Sequence, residues 1–236
     1  MAVSQLDSCA LLPFSAGQLT PMRSYIDEPL APEAVEVLRE AIARVNEEAN
    51  LNIQLVLDEP RAFTGFKARL VNFTNVRNYL ALVGPECKEL DGILGYYGEQ
   101  LMLLAQSLGL NSCWVGGTYK VVNRAYNVDL GQKLAAVIAL GYGTTQGVPH
   151  RSKAPQAVVP GYDGAPEWFK RGVDAALLAP TALNQQKFSF SLDGEVGDVP
   201  VVRASTRRGA FAQMDLGIAQ CHFEIGAGPA LYRWAE

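Results

Sequence analysis

Leu134-Ala-Ala-Val-Ile-Ala-Leu140 is an unbroken apolar run. A half-buried strand alternates polar and apolar residues. A continuous run of this length suits a strand buried on both faces, at the centre of a sheet. The rest of the chain supplies the elements around it. Residues 52–57, 78–83, 111–115, 188–192 and 199–203 read as further strands, with Gly84-Pro85 stopping the second and Gly116-Gly117 ending the third. Pro32 and Glu33 open a helix, since proline is tolerated in the first turn and acid favours the positive end. Val35, Leu38, Ile42 and Val45 carry it to about residue 46. Leu101, Leu104, Ala105 and Leu108 define a helix over residues 96–108, with Gly109 at C′. Residues 167–178 and 214–225 are helical. Residues 1–20 read as a loose arm, and 58–78 as irregular.

The order helix, strand, strand, helix thus occurs twice. The segment between, rich in Gly and Pro from 141 to 166, reads as a crossing linker. These observations predict an α+β domain over 1–236, with a first half at 19–145, a linker at 146–165 and a second half at 166–236. Halves related by a pseudo-two-fold axis would leave a ligand site between them.

Composition narrows the function. A net charge of −4 argues against a nucleic-acid partner. Cys9, Cys87, Cys113 and Cys221 have no paired spacing, which argues against zinc or a disulfide framework and fits a reducing, cytoplasmic setting. No metal site is expected with only His150 and His222 available. No apolar run approaches the roughly 20 residues that cross a bilayer, and the N-terminus does not read as a signal peptide.

Residues 178–190 hold the densest set of ligand-binding groups. Pro180 ends the preceding helix. Thr181, Asn184, Gln185 and Gln186 offer neutral groups that donate and accept. Phe188 and Phe190 then alternate with serines as in a half-buried strand. Such a loop suits a flat, hydrogen-bonding heterocycle such as a flavin; it equally describes a plain helix-to-strand connection facing water. Gly141-Tyr-Gly143-Thr-Thr-Gln-Gly147 follows a strand, but Pro149 and Pro155 forbid the helix that a dinucleotide fingerprint needs. His150-Arg151-Ser152-Lys153 beyond it is either a phosphate grip or a solvated basic turn. Arg23 and Ser24 offer a guanidinium fork and a hydroxyl. Trp114-Val115-Gly116-Gly117 gives backbone that a flat ring can approach, with Trp114 as core or as cofactor wall. Asp215 and Glu224 read as surface charge, with acid–base work as the alternative.

Together these stretches resemble the nitroreductase family of FMN enzymes, and within it the single-chain, internally duplicated subgroup (TM1586-like). Ala179-Pro-Thr-Ala-Leu-Asn-Gln-Gln186 resembles the family's Ala-Pro-Ser-x-x-Asn-x-Gln-Pro-Trp loop. Residues 97–116 resemble its central helix and following strand, residues 137–142 its late strand, and Arg23-Ser-Tyr with Pro29-Leu30 its N-terminal arginine box. The resemblance implies a nitroreductase-like α+β fold, with two pseudo-symmetric half-domains and a mixed sheet flanked by helices. It implies FMN, with NAD(P)H as co-substrate and a nitro, quinone or related small molecule as electron acceptor. Arg23 and Ser24 would face the phosphate or ribityl chain, and Arg151 and Lys153 the phosphate. Pro180, Thr181, Ala182, Asn184 and Gln186 would edge the isoalloxazine, and Trp114, Val115, Gly116 and Gly117 its opposite face. No side chain need act as a nucleophile. One chain would supply both sides, as a monomer with pseudo-dimeric halves or as a homodimer. The chain departs from the pattern where Leu19 and Pro21 replace box donors and Lys187-Phe188 replaces Pro-Trp. A flavin enzyme of another kind, or a non-catalytic flavin-binding or small-molecule-sensing protein on the same fold, are the alternatives.

Overall fold

A computed structural model describes residues 22–145, 150–228 and 232–235. The expected arm at 1–20, and Gly147 and Pro149 of the glycine loop, lie outside the described residues.

The first sheet is antiparallel throughout, in the order β1-β2-β4-β3: β1 is Gln54–Val56, β2 Asn78–Pro85, β3 Asn111–Val115 and β4 Gln132–Gly141. The apolar run falls on β4, between β2 and β3. Side chains of a strand alternate between faces. On β4, Ala136, Ile138 and Leu140 join the main core, while Val137 and Ala139 join a second core on the opposite face with Tyr25, Phe63 and Phe73. The segment expected to be irregular builds part of that second cover. It contains a 3-10 turn at Pro60–Phe63 and a short helix, α2, at Phe66–Leu70.

Gly84-Pro85 does not stop β2, which pairs on to Pro85 opposite Gln132. Gly84 is a packing glycine: a Cβ there would lie 2.5 Å from Leu90 and 2.8 Å from Leu51.

The helix layer holds α1 (Pro32–Ala49), α3 (Leu90–Ser107), α4 (Glu167–Ala176) and α5 (Ala212–Ala227). α1 packs on α3, α3 on α5, and α5 on α4. Helix α3 starts six residues before the expected Tyr96, because Gly92 and Gly95 hide its first two turns. Glycine is a poor helix former, by roughly 1 kcal/mol against alanine. These glycines serve the crossing with α5. A Cβ on Gly95 would lie 2.2 Å from the Met214 carbonyl oxygen, and one on Gly217 2.0 Å from that of Gly92.

The second sheet has the order β5-β6-β7: β5 is Phe188–Val196, β6 Val199–Thr206 and β7 Arg233–Trp234. β5 and β6 are antiparallel; β7, which sequence reading missed, is parallel to β6. Phe190 stacks on Phe223 of α5 at 4.8 Å between ring centroids. One apolar cluster runs from α1 and the first sheet through α3 and α5 to the second sheet. Each fully buried Leu or Phe in it contributes roughly 1.5–3 kcal/mol. Among the described residues no helix is long and apolar enough to cross a membrane, and no group of acidic, His and Cys side chains could hold a metal ion.

Candidate functional site

The polar loop leaves α4 and turns through a 3-10 helix at Ala182–Asn184 before entering β5. Leu183 (φ 53°), Asn184 (φ 53°) and Gln186 (φ 44°) all adopt left-handed backbone. For residues other than glycine this region is disfavoured, by about 1–2 kcal/mol each. A dense set of hydrogen bonds holds the turn. The Gln186 backbone N–H donates to Thr181 Oγ1 at 3.1 Å, and Gln186 Nε2 donates to Asn184 Oδ1 at 2.6 Å. Asn184 Nδ2 and Gln186 Nε2 both donate to the Arg151 carbonyl at 2.9 Å. Lys153 closes the set, its N–H donating to Gln186 Oε1 at 2.8 Å and its Nζ to the Gln186 carbonyl at 2.6 Å. The amides therefore clasp the backbone at 151–153, and Gln186 is buried. The Arg151 side chain remains exposed.

Asp215 supports this loop from below. Both of its oxygens accept the Ala182 N–H, at 3.0 and 3.1 Å. The residue is buried, in the first turn of α5, so the expectation of surface charge was wrong. Burial pushes its carboxyl up to about 6, against the pull of the Ala182 N–H and of Lys187. The signal lay in the periodicity: Asp215 shares a helix face with buried Ala212, Ile218 and Ala219.

Glu224 is half-buried rather than a free surface charge. It accepts hydrogen bonds from Tyr96 and, at 2.7 Å, from Trp234 Nε1.

The glycine stretch Gly116-Gly117 follows the end of β3. Val115 is buried in the second core. Trp114 turns into the helix layer, its indole N–H donating to Glu99 Oε2 at 2.7 Å and its ring pressed on Gly98. Glu99 Oε1 meets His222 Nε2 of α5 at 2.7 Å, with both residues fully buried. Sequence reading missed this node, although Glu99 sits on the same helical stripe as Gly95 and Met102. Gly116 lies under Phe211: a Cβ on it would meet the Phe211 ring at 2.4 Å. A Cβ on Gly117 would meet nothing within 4 Å.

Arg23 and Ser24 lie between the 73–75 segment and residues 143–144. Ser24 pairs with Thr74, and Tyr25 with Gly143, in isolated bridges. Thr74 Oγ1 donates to Ser24 Oγ at 2.8 Å. Burial pushes the Cys113 thiol up to about 11, against the pull of the Arg23 guanidinium beside it. Leu19 and Pro21 lie outside the described residues.

Contacts link Gly116 to the polar loop, while Arg23 lies against Cys113 on the strand that precedes Gly116. Arg23 meets Cys113; Gly116, three residues on, meets Phe211. The Phe211 carbonyl accepts the Asp215 N–H at 2.8 Å, Asp215 holds Ala182, and the loop clasps Arg151 and Lys153. Pro180 and Thr181 stand half-buried at the head of the loop. Two hollows of the described surface lie elsewhere, one of about 370 Å³ beside Trp168 and one of about 150 Å³ beside Arg77.

A family described as "Putative TM nitroreductase" matches residues 19–227. A structure of a "putative nitroreductase" from Thermotoga maritima aligns with a TM-score of 0.56 at 16% identity, covering 88% of this chain and 80% of that one. NADPH:FMN oxidoreductase from Vibrio harveyi, solved with NAD+, aligns with a TM-score of 0.49 at 15% identity, over 61% of this chain and 74% of that one. A "putative nitroreductase" from Desulfovibrio desulfuricans, solved with FMN, gives 0.46 at 20% identity, over 59% and 90%. Such identities speak to fold alone, and the Thermotoga maritima structure carries that likeness. No curated protein matches the chain. The family match spans most of the sequence: the chain belongs to the TM nitroreductase family, an oxidoreductase family, and has its α+β fold.

Proposed function

We propose that this protein is an FMN-dependent oxidoreductase that uses NAD(P)H to reduce nitro, quinone or related small acceptors. The observation that carries the reading is the link from Gly116 to the 180–186 loop through Phe211 and Asp215. The donor set fits the cofactor. Gly117 is open backbone that a flat ring can approach, and Arg23 and Arg151, both exposed residues, carry guanidinium forks that suit a phosphate. FMN, when bound, would supply hydride acceptance from the nicotinamide and electron transfer to the acceptor.

The chain's own residues bind and orient. Arg23 and Arg151 take the phosphate, with Ser24 fixing the backbone beside Arg23. Gly116 and Gly117 border one face of the ring system, carried by Val115 in the sheet and by Trp114 on Glu99. Pro180, Thr181 and Ala182 border it from the other side. Asn184, Gln186 and Lys153 keep Arg151 in place through its backbone. The division into a first half at 19–145, a linker at 146–165 and a second half at 166–236 accompanies this reading. It makes one chain sufficient for both sides of the site, with or without pairing into a homodimer. The unpaired thiols of Cys87, Cys113 and Cys221 fit a reducing cytoplasm, where NAD(P)H is available.

The test is steady-state oxidation of NADH and of NADPH by the FMN-loaded protein with 4-nitrobenzoate as acceptor. Turnover that requires both FMN and acceptor is expected. Protein that holds FMN yet oxidises neither nicotinamide contradicts the catalytic reading.

A further inference from the structure

Helix α2 (Phe66–Leu70) turns an apolar pair outward. Successive helical residues are rotated by about 100°. Phe66 and Leu70 therefore share one side, Ala68 lies opposite, and Lys67 and Arg69 flank the pair. Burial follows that wheel: Ala68 sits in the second core, while Phe66 is 76% exposed and Leu70 65%. Val122 belongs to the same core and brings its segment beside the helix. The Lys120 N–H donates to the Ala62 carbonyl at 2.8 Å, and a Cβ on Gly65 would lie 4.0 Å from that of Lys120. Lys67, Arg69 and Lys120 are all exposed.

Charge in this region runs against that of the whole. The chain carries a net −4, yet it has no Asp or Glu from residue 60 to 85 or from 100 to 128. Arg61 and Arg77 are already paired, with Glu59 and with Asp27 and Asp58. Lys67, Arg69 and Lys120 form no ion pair among the described residues.

We propose that α2 is a peripheral docking surface for an anionic phospholipid bilayer. Phe66 and Leu70 enter the headgroup boundary, and Lys67, Arg69 and Lys120 rest on the phosphates. Apolar side chains flanked by cations are the pattern of interfacial attachment, and a single such signal binds reversibly. A protein partner is disfavoured by size: these few side chains fall far short of the roughly 20–30 residues a side of a stable interface. A two-fold pairing of copies through α2 is disfavoured by charge, since it would set cations against cations. The attachment needs no spanning helix, and it holds whether or not the chain carries a flavin.

The experiment is sedimentation of the full chain with vesicles of phosphatidylcholine alone and of phosphatidylcholine with about 30% phosphatidylserine, in about 0.15 M salt. Wild type should bind the anionic vesicles at least about tenfold more strongly, and about 1 M salt should abolish the difference. Lys67→Gln with Arg69→Gln should weaken that binding about thirtyfold. Phe66→Ser with Leu70→Ser should weaken it about tenfold. Arg39→Gln with Arg44→Gln removes the same charge from exposed positions of α1, across the first sheet, and should leave binding within about twofold. Thermal midpoints should match wild type in all three, since every side chain changed is exposed. Patch variants that bind like wild type, or a wild type with no preference for anionic vesicles, overturn the proposal. An equal loss in the α1 pair overturns it too, because bulk charge then explains the binding. So does a wild type that binds polyglutamate but not vesicles, the mark of an acidic protein partner.

Discussion

Glu99 and Asp215 are both buried carboxylates, and each holds a different part of the fold. Glu99 is fully enclosed between α3, α5 and β3, with one oxygen on His222 and the other on Trp114. Everything around it is regular helix and strand. Asp215 also lies in the helix layer, and accepts the Ala182 N–H from a loop with left-handed backbone at Leu183, Asn184 and Gln186. The first node holds layers together; the second holds a surface in a shape it would not otherwise keep. If the loop binds the cofactor as proposed, stability and binding have separate anchors, and substitutions should separate them.

Removing the first anchor should have the largest effect. Glu99→Ala leaves a buried imidazole and an indole N–H without their acceptor, and should cost about 3–5 kcal/mol by urea denaturation. A loss below about 1 kcal/mol would mean that the α3–α5 contact does not depend on it.

The second anchor shows itself through pH. The Asp215 carboxyl sits at about 6 in the fold, raised from 3.8. A raised acid is favoured in its protonated form, so its contribution is present below the unfolded value and lost as pH rises through the folded one. Wild type should lose up to roughly 3 kcal/mol from this group between about pH 4 and pH 6. Asp215→Asn does not titrate, so its stability relative to wild type should improve across that window. Urea midpoints at pH 4.5 and 7.5 for both proteins read the difference; a constant gap would contradict the assignment.

Two glycines sharpen the contrast at smaller scale. Gly95→Ala drives a methyl into the Met214 backbone and should cost about 1–3 kcal/mol. Gly117→Ala meets nothing, and its stability should stay within about 0.5 kcal/mol of wild type. Its effect should instead be a weaker FMN Kd. Denaturation of the first and FMN titration of the second separate the two roles.

What could be read in the sequence follows the same division. The 134–140 run disclosed β4 because burial on both faces leaves a one-dimensional signature. The alternation at Phe188 and Phe190 disclosed β5, and Asn111 to Val115 matched β3. The start of α3 was hidden because Gly92 and Gly95 answer to a partner helix far away in sequence, not to helix propensity. β7 was hidden because two residues carry no period. The amides of Asn184 and Gln186 were legible as a polar cluster, but not that they would clasp Arg151. Asp215 was read as surface charge and Glu99 was passed over, although each is a charge on an apolar helical stripe. Their partners, Ala182 and His222, depend on tertiary contacts that no local pattern encodes. Leu183 and Phe211 drew no notice, since backbone conformation at a single bulky residue leaves no mark on composition.

Titration of the purified chain with FMN, followed by flavin fluorescence and the visible spectrum, tests the central claim most directly. Saturable quenching with a yellow protein retained through gel filtration is predicted. A free-flavin spectrum, with no quenching and a colourless protein peak, would contradict it.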